Sequence, residues 1–171
     1  MKTVLCVALI ATAISSGNSA EQQCVNSVQP TSPNSQYRVN NDGTISDLKH
    51  SLMWLQCSVG QQWRRGKCQG SVTTATWDKA IQIAEHYHYA GYLDWRLPTI
   101  YELSSLTELR CLRPAINLSL FPATPAADYW TSTPFSNDSK LAWRVHFQYG
   151  ENHAEVKSHR AAIRLVRSIA P

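Results

Sequence analysis

The sequence is short of charge and short of glycine. Only 16% of its 171 residues are Asp, Glu, Lys or Arg, against 43% apolar residues, which is the wrong balance for a disordered chain. Seven glycines cannot supply every third position of a collagen helix. No apolar run approaches the roughly 20 residues that span a bilayer as a helix, so a membrane span is excluded from the expected mature chain. C-x-x-C pairs are missing, as is a G-x-S-x-G elbow, which removes the usual signatures of a zinc knuckle and of a serine hydrolase. No internal repeat is visible. At this length one domain is expected.

What is present begins with an export pattern. Lys2 precedes an apolar run from Val4 to Ile14, and the small polar stretch Ser15 to Ala20 follows. That order predicts a secretory signal peptide over residues 1–20, with cleavage after Ala20. The mature protein is then periplasmic or extracellular. Cleavage leaves 15 basic against 12 acidic residues, a net charge of +3. Such a mild excess suits acidic glycans or acidic surfaces better than nucleic acid, which is not expected as a partner.

Cleavage also removes Cys6 and leaves Cys24, Cys57, Cys68 and Cys111. An even number in an oxidising compartment reads as two disulfides. Cys57 and Cys68 bracket a short segment turned by Gly60 and Gly66, so they are paired, which leaves Cys24 for Cys111.

Residues 21–35 read as an extended arm, rich in Gln, Asn, Ser and Pro, and residues 36–171 as the domain. Asn40-Asn41-Asp42-Gly43 predicts a hairpin between Tyr37–Val39 and Thr44–Ser46, and Ser51–Gln56 a buried strand. Apolar spacing predicts a helix over Thr76–Ala90, capped by Gly91. Thr99 and Glu102 form a capping box for a second helix striped by Leu103, Leu106 and Leu109. From Leu141 to Tyr149 apolar and polar residues alternate, then Gly150-Glu151-Asn152 turns the chain and Ala162–Arg167 offers a last strand. The fold class is α+β, with two helices packed on antiparallel sheet.

Catalytic chemistry has little support. His86 and His88 read as a helical surface pair. His146, His153 and His159 with Glu151 and Glu155 read as polar strand and turn residues, not as a metal site. Asp94 and Glu102 are too well employed, as partner of Arg96 and as cap, to read as a glycosidase pair. No cofactor is expected. The notable constellation is polar and aromatic. Trp63 stands with Arg64, Arg65 and Lys67 on the stapled loop, while Tyr129, Trp130, Trp143 and Tyr149 flank the alternating strand. Trp54, Trp77 and Trp95 read as core. Aromatic faces pack on sugar rings, and Arg forks pair with carboxylates or sulfates.

Longer motifs resemble a known family. Asp42-Gly43-Thr44-Ile45-Ser46-Asp47-Leu48 with Leu52-Met53-Trp54, then Gly91-Tyr92-Leu93-Asp94-Trp95-Arg96-Leu97-Pro98-Thr99 with Glu102-Leu103, lead the match. Phe121-Pro122, Tyr129-Trp130-Thr131-Ser132 and Arg164-Leu165-Val166-Arg167 follow in order. Together they resemble the C-terminal domain of the Legionella collagen-like protein. The resemblance implies a C-type-lectin-like fold with its chain ends close together, and a ligand-binding or adhesive module, not an enzyme. It implies that Asp94, Trp95, Arg96, Pro98 and Glu102 are structural, with Arg96 buried against a carboxylate. Through related variable receptors it implies ligand contacts at Arg144, His146, Gln148, Tyr149, Asn152 and His153. The namesake is a trimer, but this chain has no collagen stalk, so the oligomeric state is left open. The partner expected is an acidic polysaccharide or a protein. A structural subunit of an envelope or pilus-type assembly is the alternative, suggested by the arm at 21–35. An enzyme on a formylglycine-generating-enzyme-like scaffold ranks below both, because it needs free cysteines.

Overall fold

The computed structural model describes residues 21–169, so the expected signal peptide lies outside the described residues. The class is α+β, as expected. Numbered in chain order, the strands are β1 (Gln23–Cys24), β2 (Tyr37–Val39), β3 (Thr44–Asp47), β4 (Leu52–Leu55), β5 (Gln62–Arg64), β6 (Lys67–Gln69), β7 (Thr74–Ala75), β8 (Cys111–Leu112), β9 (Asp128–Pro134), β10 (Leu141–His146), β11 (Glu151–Val156), β12 (Ala161–Ala162) and β13 (Val166–Ser168). The helices are α1 (Trp77–Glu85) and α2 (Ile100–Ser104).

Two sheets carry the domain. One runs β13-β4-β3-β2 and the other β11-β10-β9-β12-β7. The first hairpin forms as the turn residues dictate: Asn41 and Gly43 take positive φ, and the Asp42 carboxylate accepts the Thr44 N–H at 2.8 Å. A side chain at Gly43 would collide with Trp63 and with the Tyr89 hydroxyl. The last strand pairs with β4, Val166 facing Trp54, which places both ends of the domain in one sheet. Both disulfides join the expected partners, Cys24 to Cys111 and Cys57 to Cys68.

The arm at 21–35 folds back on its own domain. β1 pairs with β8, Gln22 donates to the carbonyls of Pro114 and Ile116, and the Thr31 and Ser32 N–H groups donate to the buried Glu108 carboxylate.

Several local expectations are corrected. α1 ends at Glu85, because His86 to Tyr89 are weak helix formers and Tyr87 and Tyr89 pack inward; Ala90 and Gly91, both at positive φ, form a separate turn joining Tyr89 to Tyr92. His86 and His88 therefore lie beyond the helix and are exposed. α2 stops after five residues, which leaves Leu109 outside it and 68% exposed. A register shift between Ala142 and Arg144 breaks the strict alternation where Ala142 is buried, and the late strand stops at His146, which leaves Tyr149 exposed in the turn beyond it. The turn is Phe147–Gly150, so Glu151 and Asn152 belong to β11. Ala162–Arg167 is not one strand: β12 and β13 lie in different sheets.

Two apolar clusters fill the interior. Trp54, Leu103, Ile116, Phe121, Tyr129 and Phe147 form one; Leu55, Trp95, Leu97, Trp130 and Ile163 form the other with Ala80 and Ala84 of α1. Trp77 is only partly buried and donates its indole N–H to the Thr131 carbonyl at 2.8 Å.

Arg164, a basic residue of the motif Arg164-Leu165-Val166-Arg167, is wholly buried. Its guanidinium donates to the carbonyls of Leu55 (2.8 Å) and Gln56 (2.6 Å), to Thr124 Oγ1 (2.7 Å) and to Ser58 Oγ (3.3 Å). It lies over the rings of Phe121 and Tyr129. No carboxylate pairs with it among the described residues. Burial pulls its pKa below the ordinary arginine value, and the neighbouring Tyr129 opposes that shift. Removing the side chain opens a cavity and orphans two carbonyls. Arg164→Ala should therefore cost about 3 kcal/mol in urea unfolding. A loss of less than about 1 kcal/mol would show that the guanidinium is not a structural tie.

Candidate functional site

The stapled loop is a tight hairpin. β5 and β6 pair with Trp63 facing Cys68, and Arg65 and Gly66, both at positive φ, form the two-residue turn. The Cys57–Cys68 bridge ties its root to the end of β4. Strand alternation points Trp63 inward, where it is half-buried against Gly43 and shares a small cavity with Leu55, Gln61, Tyr87 and Tyr89. Arg64, Arg65 and Lys67 are exposed. Arg64 is steadied by the Gln62 amide oxygen, at 2.7 and 3.1 Å. None of the three has a carboxylate partner among the described residues.

The late sheet is electrostatically different. Sequence reasoning missed Asp128, the hub of this region, which opens β9 just before Tyr129-Trp130. Its carboxylate meets the Arg144 guanidinium, His146 Nδ1 at 2.5 Å and His159 Nε2 at 3.5 Å. Arg144 also reaches Glu155 at 3.5 Å, and His153 Nε2 lies 3.2 Å from Glu151. Gln148 donates to the Tyr149 hydroxyl at 2.8 Å and lies 3.3 Å from His146 Nε2, while Asn152 accepts from Ser104 of α2 at 3.1 Å. So Arg144, His146, Gln148, Tyr149, Asn152 and His153 do come together around one hairpin. Yet Arg144, the one fixed cation there, faces two carboxylates, Asp128 and Glu155. No hydrogen bond or ion pair joins this group to the β5–β6 hairpin among the described residues. No group of three or more His, Cys, Asp or Glu is disposed to hold a metal ion among the described residues.

The Gly91–Glu102 segment is a clamp. Thr99 Oγ1 accepts the Glu102 N–H, and the Glu102 carboxylate accepts the Thr99 N–H at 2.7 Å. The same carboxylate takes a two-pronged pair from Arg96 at 2.7 and 2.8 Å. The Arg96 backbone bonds Val166 in both directions, and the Pro98 carbonyl accepts the Ser132 N–H at 2.7 Å, so the segment joins both sheets. Trp95 is buried, with its indole N–H on the Tyr89 carbonyl. Two details differ from expectation. The Arg96 side chain is 40% exposed rather than buried, and Asp94 pairs not with Arg96 but with Arg167, at 2.7 Å. Arg167 in turn covers the Tyr92 ring, 3.9 Å away, and its hydrogen bonds hold Asp94 below the usual carboxylate range.

This clamp lies within the stretch, residues 43–167, that matches the family model described as Lcl C-terminal domain. The chain belongs to the Lcl C-terminal domain family. No curated protein matches it. Family membership and the two disulfides fit a secreted or surface domain. No helix among the described residues is long and apolar enough to cross a membrane.

In this Lcl C-terminal domain the Glu102 carboxyl is pulled two ways. Burial raises its pKa, but the Arg96 pair and the Thr99 bonds prevail and hold it below its ordinary 4.5. A depressed carboxyl stabilises the fold above its unfolded pKa, and that stability is lost as pH falls through the folded value. Gln at this position keeps the cap but loses the charge. Glu102→Gln should therefore cost about 1 kcal/mol at pH 7 and progressively less as pH is lowered below 4.5, in paired urea titrations. An equal loss across that range would mean that the charge is not what the clamp uses.

Proposed function

We propose that this chain is an exported, non-enzymatic binding module that engages an acidic polysaccharide through the β5–β6 hairpin. One observation carries the reading: Arg64, Arg65 and Lys67 are exposed on a disulfide-anchored turn, and no carboxylate of the described chain neutralises them. A rigid hairpin presents these charges with little ordering cost on binding. Arg forks suit sulfate or carboxylate groups, and Lys67 adds a mobile point charge. Trp63 serves as the buttress of the hairpin, with its half-exposed ring beside the charges.

The late-sheet residues play a different part in this reading. Arg144, His146 and His153 already face carboxylates, so this surface attracts a polyanion weakly and suits a protein partner better. The four described cysteines are all in bridges, which supports a binding module over chemistry of the formylglycine-generating type.

The test is binding of the mature chain to a sulfated polysaccharide such as heparin. At low salt it should bind, and near 0.5 M salt, where the screening length falls to about 4 Å, it should release. Replacing Arg64, Arg65 and Lys67 together by Gln should weaken binding about tenfold or more, each lost contact being worth roughly 0.5–1 kcal/mol. Lys79→Gln on α1 should change it less than about twofold. Equal affinity for the triple variant, or no binding at low salt, would remove this reading.

A further inference from the structure

One cavity of the domain is lined by no residue of the β5–β6 hairpin. About 620 Å³ in volume, it is lined by Arg113, Pro114, Ala123, Thr124, Pro125, Ala126 and Gln148. That falls in the ordinary range for small-molecule sites. Its walls are chiefly proline rings and alanine methyls, surfaces that suit the C–H face of a saturated ring. Its polar groups are few and specific: one guanidinium, one amide and one hydroxyl.

Arg113 has no side-chain hydrogen bond and no carboxylate partner among the described residues, although its backbone is tied down by donation to the Gln148 carbonyl at 2.9 Å. It also holds a left-handed backbone, φ 57°, which costs a non-glycine residue energy; Ala123 across the cavity does the same at 53°. A second, independent positive charge stands behind the wall. Thr124 Oγ1 accepts from the buried Arg164 guanidinium at 2.7 Å and donates to the Phe121 carbonyl. Among the described residues Arg164 has no counter-ion, so no ion pair cancels its charge. The nearest carboxylate by chain position, Asp128, is already engaged by Arg144, His146 and His159.

We propose that this cavity binds a hexuronate, a sugar ring bearing one carboxylate, with Arg113 pairing the carboxylate and the Gln148 amide exchanging its Tyr149 hydroxyl partner for a ring hydroxyl. A carboxylate is satisfied by the two parallel N–H groups of one guanidinium, whereas a sulfate group presents a third oxygen for which the cavity offers few donors. The apolar walls take the face of the ring. The site is independent of the hairpin, so either assignment stands or falls alone.

The experiment is amide NMR titration of the mature chain with D-glucuronate, D-glucose, glucose 6-sulfate and cyclohexanecarboxylate. Glucuronate should bind with a Kd of about 1 mM, as expected for a ligand of this size, and shift the amides of Ala123, Ala126 and Gln148. Glucose should bind at least about tenfold more weakly. Arg113→Gln should lose glucuronate by a similar factor while leaving the unfolding transition in place, since the side chain has no partner to lose. Replacing Arg64, Arg65 and Lys67 by Gln should leave glucuronate binding unchanged. The proposal is overturned if glucuronate shifts amides elsewhere or none, or if Arg113→Gln binds it as well as the parent. Tighter binding of glucose 6-sulfate overturns the carboxylate assignment, and equal binding of cyclohexanecarboxylate overturns the sugar.

Discussion

A cation with no counter-ion among the described residues holds the centre of this domain. Arg164 lies between β12 and β13, where the chain passes from one sheet to the other. From there it bonds the end of β4, the segment leading to the stapled hairpin, and the loop ahead of β9. Burying a guanidinium is expensive unless its donors are used and its charge is spread. Here backbone carbonyls, two hydroxyls and two aromatic faces share that work, leaving the buried Nε alone without a partner among the described residues, and the Tyr129 hydroxyl meets Ser58 at 2.6 Å. The consequence is geometric: residues 55–58, from which the hairpin springs, cannot shift without breaking this network.

The charge that remains on the surface is sorted. On the late sheet and in the Gly91–Glu102 clamp, arginines are matched to carboxylates of the same domain, as Arg144 is to Asp128, Arg96 to Glu102 and Arg167 to Asp94. On the β5–β6 hairpin they are not. Part of the mild overall excess of base is thus gathered on one disulfide-anchored projection of the fold. Unmatched charge of one sign on a rigid support is what long-range recognition of an oppositely charged polymer requires.

Much of this was legible before any coordinates. The Asn-Asn-Asp-Gly turn, the Thr99–Glu102 capping box and both cysteine pairs are local signals with strong physical causes, and they appear where expected. What could not be read depended on tertiary context. The apolar period continued through His86–Tyr89, but Tyr87 and Tyr89 gain more by packing inward than by extending a helix. Alternation over Leu141–Tyr149 gave no sign of the register shift beside the buried Ala142. Arg164 looks like any basic residue in a C-terminal strand, because only neighbours distant in sequence make it core. Asp128 left no motif of its own, so the hub of the late sheet was missed while the residues around it were found. Ion-pair partners were the least legible of all, as Asp94 shows by choosing Arg167 over the nearer Arg96.

The account turns on where an acidic polymer lands. Amide NMR of the mature chain with a size-defined heparin fragment at low salt resolves this directly. The shifts should concentrate in Gln62–Gln69, with the amides of Leu141–His146 and Glu151–Val156 scarcely moving. Shifts concentrated on the late sheet instead, with the hairpin silent, would contradict the partition of charge on which the whole reading rests.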